Sequence, residues 1–310
     1  MRVLVAGASG FLGQAWCRAL REQGHEVVAL VRREPTGAQE HRWDPYTEDP
    51  ANAVTPALVT SADVVANLAG APLAHWPWTD SYKRTFRDSR VVTTRVLAQA
   101  VGVAAEAAAG TGRRSPVLVA QNGVAAYRDL GDQVVTEDSP TDREAFIADV
   151  AREWQAATDP ARAAGARVVV LRTAVVLDRS GGALRSMLPA FRLGLGGPFG
   201  GGNQYFATIT LADWVAATTR LATDGRSAGA YNLVGPGTTT QAEFARELGR
   251  QLHRPAALPV PALPLRKIGG VAGSELLASA RVEPQRLLEE GFGFAHADLA
   301  SRISAALQRD

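Results

Sequence analysis

Three glycines near the start of the chain have the spacing of a turn that binds phosphate. Gly7, Gly10 and Gly13 stand three residues apart, directly after an apolar β-branched run and at the opening of an amphipathic segment. Glycines there allow a tight turn and a close backbone approach, while the free amides and positive end of the following helix attract a pyrophosphate. We therefore predict that a dinucleotide is bound by Gly7, Ser9, Gly10, Phe11, Leu12 and Gly13. The alternative is a glycine turn that only packs a helix on a strand.

The end of the second predicted strand carries two arginines. In NAD enzymes with a glycine turn of this kind, an acidic residue about 20 residues beyond the glycines binds the ribose hydroxyl. The corresponding place here reads Val31-Arg32-Arg33, where we expect no carboxylate to repel a phosphate. Two guanidinium groups can bind a 2′-phosphate in bidentate fashion, so Arg32 and Arg33 favour NADP(H) over NAD(H) as the cofactor. The alternative is a pair of solvated surface arginines.

Apolar strands and amphipathic helices must position these residues, and the two alternate along the first half of the chain. The pattern predicts strands over 2–6, 26–31, 63–68, 116–120 and 167–171, and helices over 11–23, 89–109 and about 143–164. Such alternation is typical of βαβ units around a parallel sheet. We therefore predict an α/β fold with a Rossmann-type doubly wound parallel sheet of about five or six strands.

The pattern changes after residue 171. A glycine-dense loop over 194–202 and a proline-rich stretch over 255–264 separate shorter elements, with helices predicted over 211–223, 240–252, 264–277 and 299–308. Thr239 or Thr240 can cap the second of these helices. We expect an NADP-binding domain over 1–172 and a smaller C-terminal substrate-binding lobe over 173–310, from which some segments return to the first domain.

The composition limits the kinds of partner. Lysine and arginine number 33 against 31 acidic residues, a net charge of +2, and no long basic run offers a surface for nucleic acid. The single cysteine, Cys17, can form no internal disulfide, which fits a reducing cytoplasm. We expect no signal peptide, and the apolar windows are shorter than the roughly 20 residues that cross a bilayer. The expected protein is a cytoplasmic monomer or homodimer that binds a small-molecule substrate, and neither nucleic acid nor a membrane.

The sequence supports neither a metal site nor a hydrolase active site. The five histidines show no i, i+4 pairing and no cysteine neighbour, so no metal site is predicted. No nucleophile elbow is predicted, because the Gly-x-Ser-x-Gly match over 225–229 follows a predicted helix instead of joining a strand to a helix, and this removes the hydrolase interpretation of the same α/β pattern.

Further segments resemble a known superfamily. They are the glycine turn, Arg42-Trp43-Asp44-Pro45, the stretch NLAGAPL over 67–73, Asp88-Ser89-Arg90, Leu171-Arg172-Thr173, the run over 189–204 and Gly291-Phe292-Gly293-Phe294. Over nearly the whole chain they are similar to extended short-chain dehydrogenases/reductases, and within these to an atypical subgroup of epimerase-family, or nucleoside-diphosphate-sugar-epimerase-like, proteins. The resemblance implies a Rossmann-type domain, a smaller substrate lobe and a nicotinamide lying across the strand ends. It also implies that Asp44 contacts adenine and that the backbone of Leu68, Ala69 and Gly70 lines the cofactor.

The resemblance also reveals a missing pair. Superfamily members that transfer hydride normally pair a tyrosine with a lysine four residues later, whose ammonium group lowers the phenol pKa. None of the five tyrosines here has such a lysine. The matching positions are Ile147 and Ala151, or Phe146 and Val150 in an alternative register, and all four are chemically inert. The Ser-Ala-x-Gly-x-Tyr-Gly segment of typical members is altered as well, to Asn122-Gly123-Val124-Ala125-Ala126-Tyr127-Arg128.

Three residues remain as candidates for catalysis: Tyr127, Asn122 and His75. Tyr127 can donate a proton or orient the substrate, with Arg128 stabilising a phenolate. Alternatively, the Tyr127 ring packs against the second lobe and its hydroxyl forms only structural hydrogen bonds. Asn122 can polarise a carbonyl or steady an oxyanion. His75 follows the cofactor-lining loop and can act as an acid or base near neutral pH, unless it lies on the surface.

Four residues are predicted to bind the substrate: Trp78, Gln204, Tyr205 and Thr210. Trp78 suits a flat or apolar substrate, although core packing explains it at least as well. The other three follow the glycine-dense loop and can close the opposite wall of the pocket.

Three functions are compatible with these features. The first is an NADP(H)-dependent oxidoreductase of a small organic substrate with a non-standard catalytic centre, for which a reducible double bond would suffer less than a carbonyl from the lost acid catalysis. The second is a repurposed scaffold that catalyses a cyclisation, isomerisation or elimination without redox chemistry. The third is an NADPH-binding sensor without catalysis.

Overall fold

The computed structural model describes residues 1–48 and 53–308. In chain order, the first half forms β1 (Arg2–Ala6), α1 (Phe11–Glu22), β2 (Glu26–Val31), β3 (Glu40–Arg42), α2 (Pro56–Thr60), β4 (Val64–Asn67), α3 (Asp80–Ala108), β5 (Val117–Gly123), β6 (Val134–Val135), α4 (Phe146–Ala156), α5 (Asp159–Ala163) and β7 (Val168–Thr173). The second half forms β8 (Val175–Leu177), α6 (Gly182–Arg192), β9 (Tyr205–Phe206), β10 (Thr208–Thr210), α7 (Leu211–Thr223), β11 (Gly229–Leu233), β12 (Thr239–Thr240), α8 (Gln241–Gln251), α9 (Ala262–Glu275), β13 (Arg281–Val282), α10 (Gln285–Glu289) and α11 (Leu299–Leu307).

One parallel sheet organises the molecule. Its strands follow the order β11–β7–β5–β4–β1–β2–β3, and every neighbouring pair is parallel. The chain moves outward from β1 to β3 on one side and from β4 to β11 on the other, so the direction of travel reverses between β1 and β4. In open α/β sheets, ligands bind at this reversal, beyond the carboxyl ends of the strands. The Rossmann-type doubly wound fold predicted from the sequence is confirmed.

The sheet has seven strands rather than the expected five or six. β3 is missed because its three residues are all polar and show no apolar alternation. β11 is missed because it enters the sheet beside β7 from the second half of the chain, where a short run leaves no local sign of its partner.

Three helices, α2, α6 and α10, are not predicted from the sequence, and the predicted helices differ from the structure at three places. α3 begins at Asp80 rather than near residue 89. The Thr79 hydroxyl caps this helix by accepting a backbone N–H. The single helix expected over 143–164 is two, α4 and α5, because Pro160 cannot continue the hydrogen-bond ladder. α9 is kinked at Gly270, whose φ is +55°.

Two apolar cores cover the faces of the sheet, and a third lies in the C-terminal half. On one face α1 and α7 pack together through Trp16, Leu20, Trp214 and Leu221. On the other face α3 packs against α2 and α5. α6, α8 and α11 enclose the third core, and Thr240 rather than Thr239 caps α8. α7 and β11 thus lie with the first half of the chain, and a domain boundary at residue 172 stays a prediction.

α3, with 29 residues, is long and apolar enough to cross a membrane by length and composition alone. In the structure 56% of its most apolar window is buried inside the protein, where it packs against α2, α4, α5 and the sheet. A core helix passes the same test of length and hydropathy.

Candidate functional site

The glycine turn between β1 and α1 packs directly on the backbone that follows β4. Gly7 has a φ of +83°, and a Cβ atom added to it would lie 2.5 Å from the carbonyl carbon of Leu68. A Cβ atom on Gly13 would lie 2.1 Å from the carbonyl oxygen of Gly7. Gly10 caps α1 without a side-chain hydrogen bond, which leaves amides of the first turn available to a ligand. The turn therefore has the close packing and the free N–H groups that a pyrophosphate requires.

A cleft of about 1360 Å³ opens in front of this turn. Of the predicted cofactor residues, those that line it are Gly7, Ser9, Gly10, Arg32, Arg33, Leu68, Ala69 and Gly70. Gly13 is buried beneath the turn, whereas Phe11 and Leu12 face a second cavity. Asp44 does not line the cleft, although its neighbours Trp43 and Tyr46 do, and its carboxylate accepts the backbone N–H of Tyr46.

The two arginines after β2 have different surroundings. Arg33 donates two hydrogen bonds to the Glu40 carboxylate, at 2.5 and 2.8 Å. These bonds, with further bonds from Thr36, lower the pKa of Glu40 to about 2. Arg32 lines the cleft and makes no ion pair or side-chain hydrogen bond with any described residue. The expectation that no carboxylate stands nearby is therefore wrong, because Glu34 follows Arg33 directly and β3 brings Glu40 to the Arg33 side chain. Of these two arginines, Arg32 is the one left open to a ligand, and Arg18 and Arg21 line the same cleft.

A second cavity, of about 590 Å³, borders the cleft. The two share the segment 68–72 as a common wall. The second cavity is lined mainly by apolar side chains, among them Phe11, Leu12, Phe86, Val124, Ile147, Val150 and Trp154. Ile147 and Ala151 both face it, whereas Phe146 packs against Trp78 and Phe86. Two inert side chains thus stand where the resemblance places a tyrosine and a lysine.

Tyr127 is buried at the edge of this second cavity, and its hydroxyl is already bonded on both sides. The side chain is 2% exposed. Its hydroxyl donates to Asn232 at 2.8 Å and accepts from Arg172 at 2.6 Å. Burial raises the pKa of Tyr127, although Arg172 opposes the shift. The geometry favours the second interpretation given for Tyr127, a packed ring with a satisfied hydroxyl.

The cation beside the Tyr127 hydroxyl is not the one expected from the sequence. Arg128 lies at the surface and pairs with Asp142 at 3.4 Å. Arg172, on β7, is 7% exposed and also donates to Gln155 and to the carbonyl of Glu137. The structure therefore favours Arg172 over Arg128 as the cation beside this hydroxyl, because Arg128 pairs with Asp142 at the surface.

We expect Tyr127→Phe to lower the free energy of unfolding by about 1–3 kcal/mol, because Arg172 and Asn232 each lose a buried hydrogen-bond partner. Urea unfolding of the variant and the parent measures this loss, and coenzyme affinity should stay unchanged. A fall in turnover of about 100-fold or more at unchanged stability would instead assign proton donation to Tyr127.

Asn122 lies at the end of β5 and fastens that strand to α4. Its side-chain amide donates to the carbonyl of Ala151 at 3.0 Å, and its side-chain oxygen accepts the N–H of Gly123 at 2.7 Å. The residue is buried and contributes to the cavity wall. One of its two amide hydrogens remains for a substrate oxygen, so its predicted role in polarising a carbonyl stays a prediction.

His75 and Trp78 lie away from the wall of the second cavity. His75 is exposed and stacks on Tyr82, with 3.5 Å between the ring centroids. Trp78 packs in an aromatic cluster with Tyr82, Phe86 and Phe146. Neither residue is among those that line the cavity. The structure therefore favours a surface position for His75 and core packing for Trp78 over contact with a substrate.

Of the three predicted substrate residues after the glycine-dense loop, one lines the cavity and two do not. Tyr205 lines the cavity, and its hydroxyl donates to Asp132 at 2.8 Å. Gln204 donates to the carbonyls of Phe199 and Leu276 and so holds the loop against the end of α9. Thr210 is buried as the cap of α7, where it accepts the N–H of Asp213. Of these three, only Tyr205 is placed to contact a substrate.

The cavity also holds three charged groups to which the sequence assigned no role. Arg143 forms a bidentate ion pair with Glu275, with distances of 2.8 and 2.9 Å. Arg90, on α3, lies against Gly70 and the ring of Phe86. Arg90 belongs to one of the segments that carry the resemblance, so its position could have been noticed. Nothing in the sequence pairs Arg143 with a residue 132 positions away.

Comparisons with known proteins fit this geometry. The NAD dependent epimerase/dehydratase family matches residues 3–234, and a domain of unknown function, DUF1731, matches residues 260–306. The epimerase family protein Mb2239 of Mycobacterium bovis is 37% identical over 308 residues, which are 99% of this chain and 98% of that protein.

Two solved structures are also similar. The crystal structure of the human epimerase family protein SDR39U1, isoform 2, with NADPH superposes with a TM-score of 0.85 at 32% identity and covers 99% of both chains. The crystal structure of a nucleoside-diphosphate sugar epimerase from Corynebacterium glutamicum gives a TM-score of 0.75 at 30% identity, and covers 99% of this chain and 58% of that one.

Proposed function

Because this chain belongs to the NAD dependent epimerase/dehydratase family, as an atypical extended short-chain dehydrogenase/reductase of the nucleoside-diphosphate-sugar-epimerase-like type, we propose that it is an NADP(H)-dependent oxidoreductase of a small organic substrate. The substrate lies in the apolar second cavity. The reaction proceeds without the tyrosine–lysine pair of typical members.

The first cleft suits the coenzyme. Gly7 approaches the backbone of Leu68 more closely than any side chain would allow, and the first turn of α1 offers N–H groups to a pyrophosphate. Arg32 lines the same cleft and can bind a 2′-phosphate. The human relative that covers 99% of this chain was crystallised with NADPH. When bound, NADPH supplies a hydride, and these residues hold and orient it.

The lining segment that the two cavities share carries the proposal. The segment 68–72 forms a wall of both the glycine-lined cleft and the apolar cavity. A ligand in the cleft and a second ligand in the cavity would therefore both contact this segment and lie close to each other. Such proximity between two sites is what transfer between a coenzyme and a substrate requires.

The side chains of the cavity favour one kind of reducible group. Ile147 and Ala151 carry no exchangeable proton, and the Tyr127 hydroxyl is engaged by Arg172 and Asn232. Reduction of a simple ketone would lose the roughly 10²–10⁴-fold that general acid catalysis supplies. A carbon–carbon double bond conjugated to an electron-withdrawing group can instead take its proton from water after reduction. We therefore propose conjugated double bonds as the reducible group.

The proposal predicts a pattern of reactivity. We expect the protein to oxidise NADPH with conjugated alkenes and not with unconjugated ketones. NADPH carrying deuterium at the transferable position of the nicotinamide should pass that label to the product. Nicotinamide absorbance and mass spectrometry of the product measure the two events. Product formation without oxidation of NADPH would favour a non-redox reaction, and tight NADPH binding with no product from any substrate would favour a sensor.

A further inference from the structure

Arg90 is a mostly buried cation in the wall of the apolar cavity. It lies on α3, and a Cβ atom added to Gly70 would lie 3.1 Å from its Cζ, so it borders the segment shared by the two cavities. Its Cζ is 3.5 Å from the centroid of the Phe86 ring and 5.3 Å from that of Trp154. Burial lowers the pKa of Arg90 to about 10, which still leaves the guanidinium protonated near neutral pH.

The guanidinium is positioned by neutral groups. Its Nη1 donates to the carbonyl of Phe86 at 3.0 Å, and its Nη2 donates to the carbonyl of Ala71 at 2.9 Å. The Nε atom makes no hydrogen bond with any residue in 1–48 or 53–308. Arg90 is therefore fixed in orientation, with donor capacity remaining.

The other arginine of the cavity is already neutralised. Glu275 is the one carboxylate among the described residues that line the cavity, and it forms both bonds of its bidentate pair with Arg143. The charge of Arg90 faces rings and carbonyls and has no carboxylate partner among the described residues. A protonated guanidinium in apolar surroundings is costly unless an anion accompanies it.

We propose that Arg90 binds a carboxylate group of the substrate. A planar carboxylate accepts parallel N–H bonds from a guanidinium, and the apolar walls around Arg90 accommodate a hydrocarbon body. The substrate is then a small, mainly apolar carboxylic acid whose acid group is held beside Gly70. This inference rests on the proposed function for the identity of the cavity as a substrate site.

The test compares a carboxylate with its neutral amide. Cinnamate and cinnamamide have nearly the same shape, and calorimetry measures the affinity of each for the protein saturated with oxidised NADP. We expect the wild-type protein to prefer cinnamate by about 10- to 100-fold, as hydrogen bonds to a charged group indicate. Arg90→Gln should abolish this preference while keeping the affinity for cinnamamide.

A second arginine on the same helix provides a matched control. Arg84 is exposed and does not line the cavity, so Arg84→Gln removes the same charge and should keep the preference for cinnamate. Arg90→Lys retains a charge but loses the planar fork, and should keep only part of the preference. If Arg90→Gln does not fold, as judged by its thermal unfolding, the lysine variant decides: an undiminished preference in Arg90→Lys overturns the proposal.

Further outcomes distinguish an Arg90 that binds the substrate carboxylate from an Arg90 that binds the coenzyme. An undiminished preference in a folded Arg90→Gln overturns the proposal. So does a loss of NADPH affinity with an unchanged carboxylate preference, which would assign Arg90 to the coenzyme. Because these measurements use the oxidised coenzyme and no turnover, they are separate from the test of the reductase. A preference that depends on Arg90 in a protein that oxidises no NADPH would support this site and refute the proposed function.

Discussion

Replacement of Gly7 by alanine should lower the affinity for NADPH by about 100-fold or more, because two costs combine. Gly7 has a φ of +83°, which a residue with a Cβ adopts only at an energetic cost. The added Cβ would also lie 2.5 Å from the Leu68 carbonyl carbon and 2.6 Å from the Ala69 nitrogen, both backbone atoms. The turn would have to move away from the cofactor-lining segment, and the shape of the pyrophosphate site would be lost. Calorimetric titration with NADPH measures the effect.

Gly24 offers a control that separates these two costs. Its φ is +77°, close to that of Gly7, and a Cβ atom there would meet nothing within 4 Å. Gly24→Ala should therefore lower the free energy of unfolding by about 1–2 kcal/mol and leave NADPH affinity unchanged. Equal NADPH affinities for the Gly7→Ala and Gly24→Ala proteins would show that the close approach at Leu68 is not required for binding.

Arg32→Ala should reduce NADPH affinity by about 10- to 100-fold and leave NADH affinity unchanged. The reason is that Arg32 lines the cleft without a described partner, so its guanidinium is available to the 2′-phosphate that distinguishes the two coenzymes. Arg33→Ala should have a smaller effect, because Arg33 is already engaged in two bonds to Glu40. Parallel titrations of the three proteins with NADPH and NADH measure the change in preference.

Glu40→Gln should shift the same preference in the opposite direction. The pKa of Glu40 is lowered to about 2, so its carboxylate is charged at any working pH and both repels a phosphate and engages Arg33. Removal of this charge should raise NADPH affinity about 3- to 10-fold, with little effect on NADH. If Arg32→Ala and Glu40→Gln both leave the ratio of the two affinities unchanged, the end of β2 does not select the coenzyme.

The architecture could be predicted where the signal was local. Five apolar runs indicated five parallel strands, and each lies in the sheet within a few residues of its expected bounds. β3 and β11 could not be predicted in this way, because β3 consists of three polar residues and β11 is a short edge strand whose neighbour, β7, is remote in sequence. The resemblance to atypical epimerase-family members of the extended short-chain dehydrogenases/reductases is confirmed by the family match over 3–234 and by the similar relatives.

The candidate site could be predicted only in part. The residues of the glycine turn are contiguous, and the turn lies in the cleft as expected. For Tyr127 the sequence left proton donation and simple packing equally open. The hydrogen bond to Asn232, 105 positions away, favours packing. His75 and Thr210 were plausible by chemistry and by proximity in the chain, but the fold places them outside the cavity wall.

The amino-acid order alone established the phosphate-binding turn, the alternation of strands and helices, and the lack of a tyrosine–lysine pair, because each depends on residues within a few positions of one another. Whether a charge is free to bind a ligand depended on folding. Arg33 and Arg143 are neutralised by acids that β3 and α9 bring to them, whereas Arg32 and Arg90 meet no such acid among the described residues. Electrostatic pairing acts through distances in space, and distances along the chain do not reveal it.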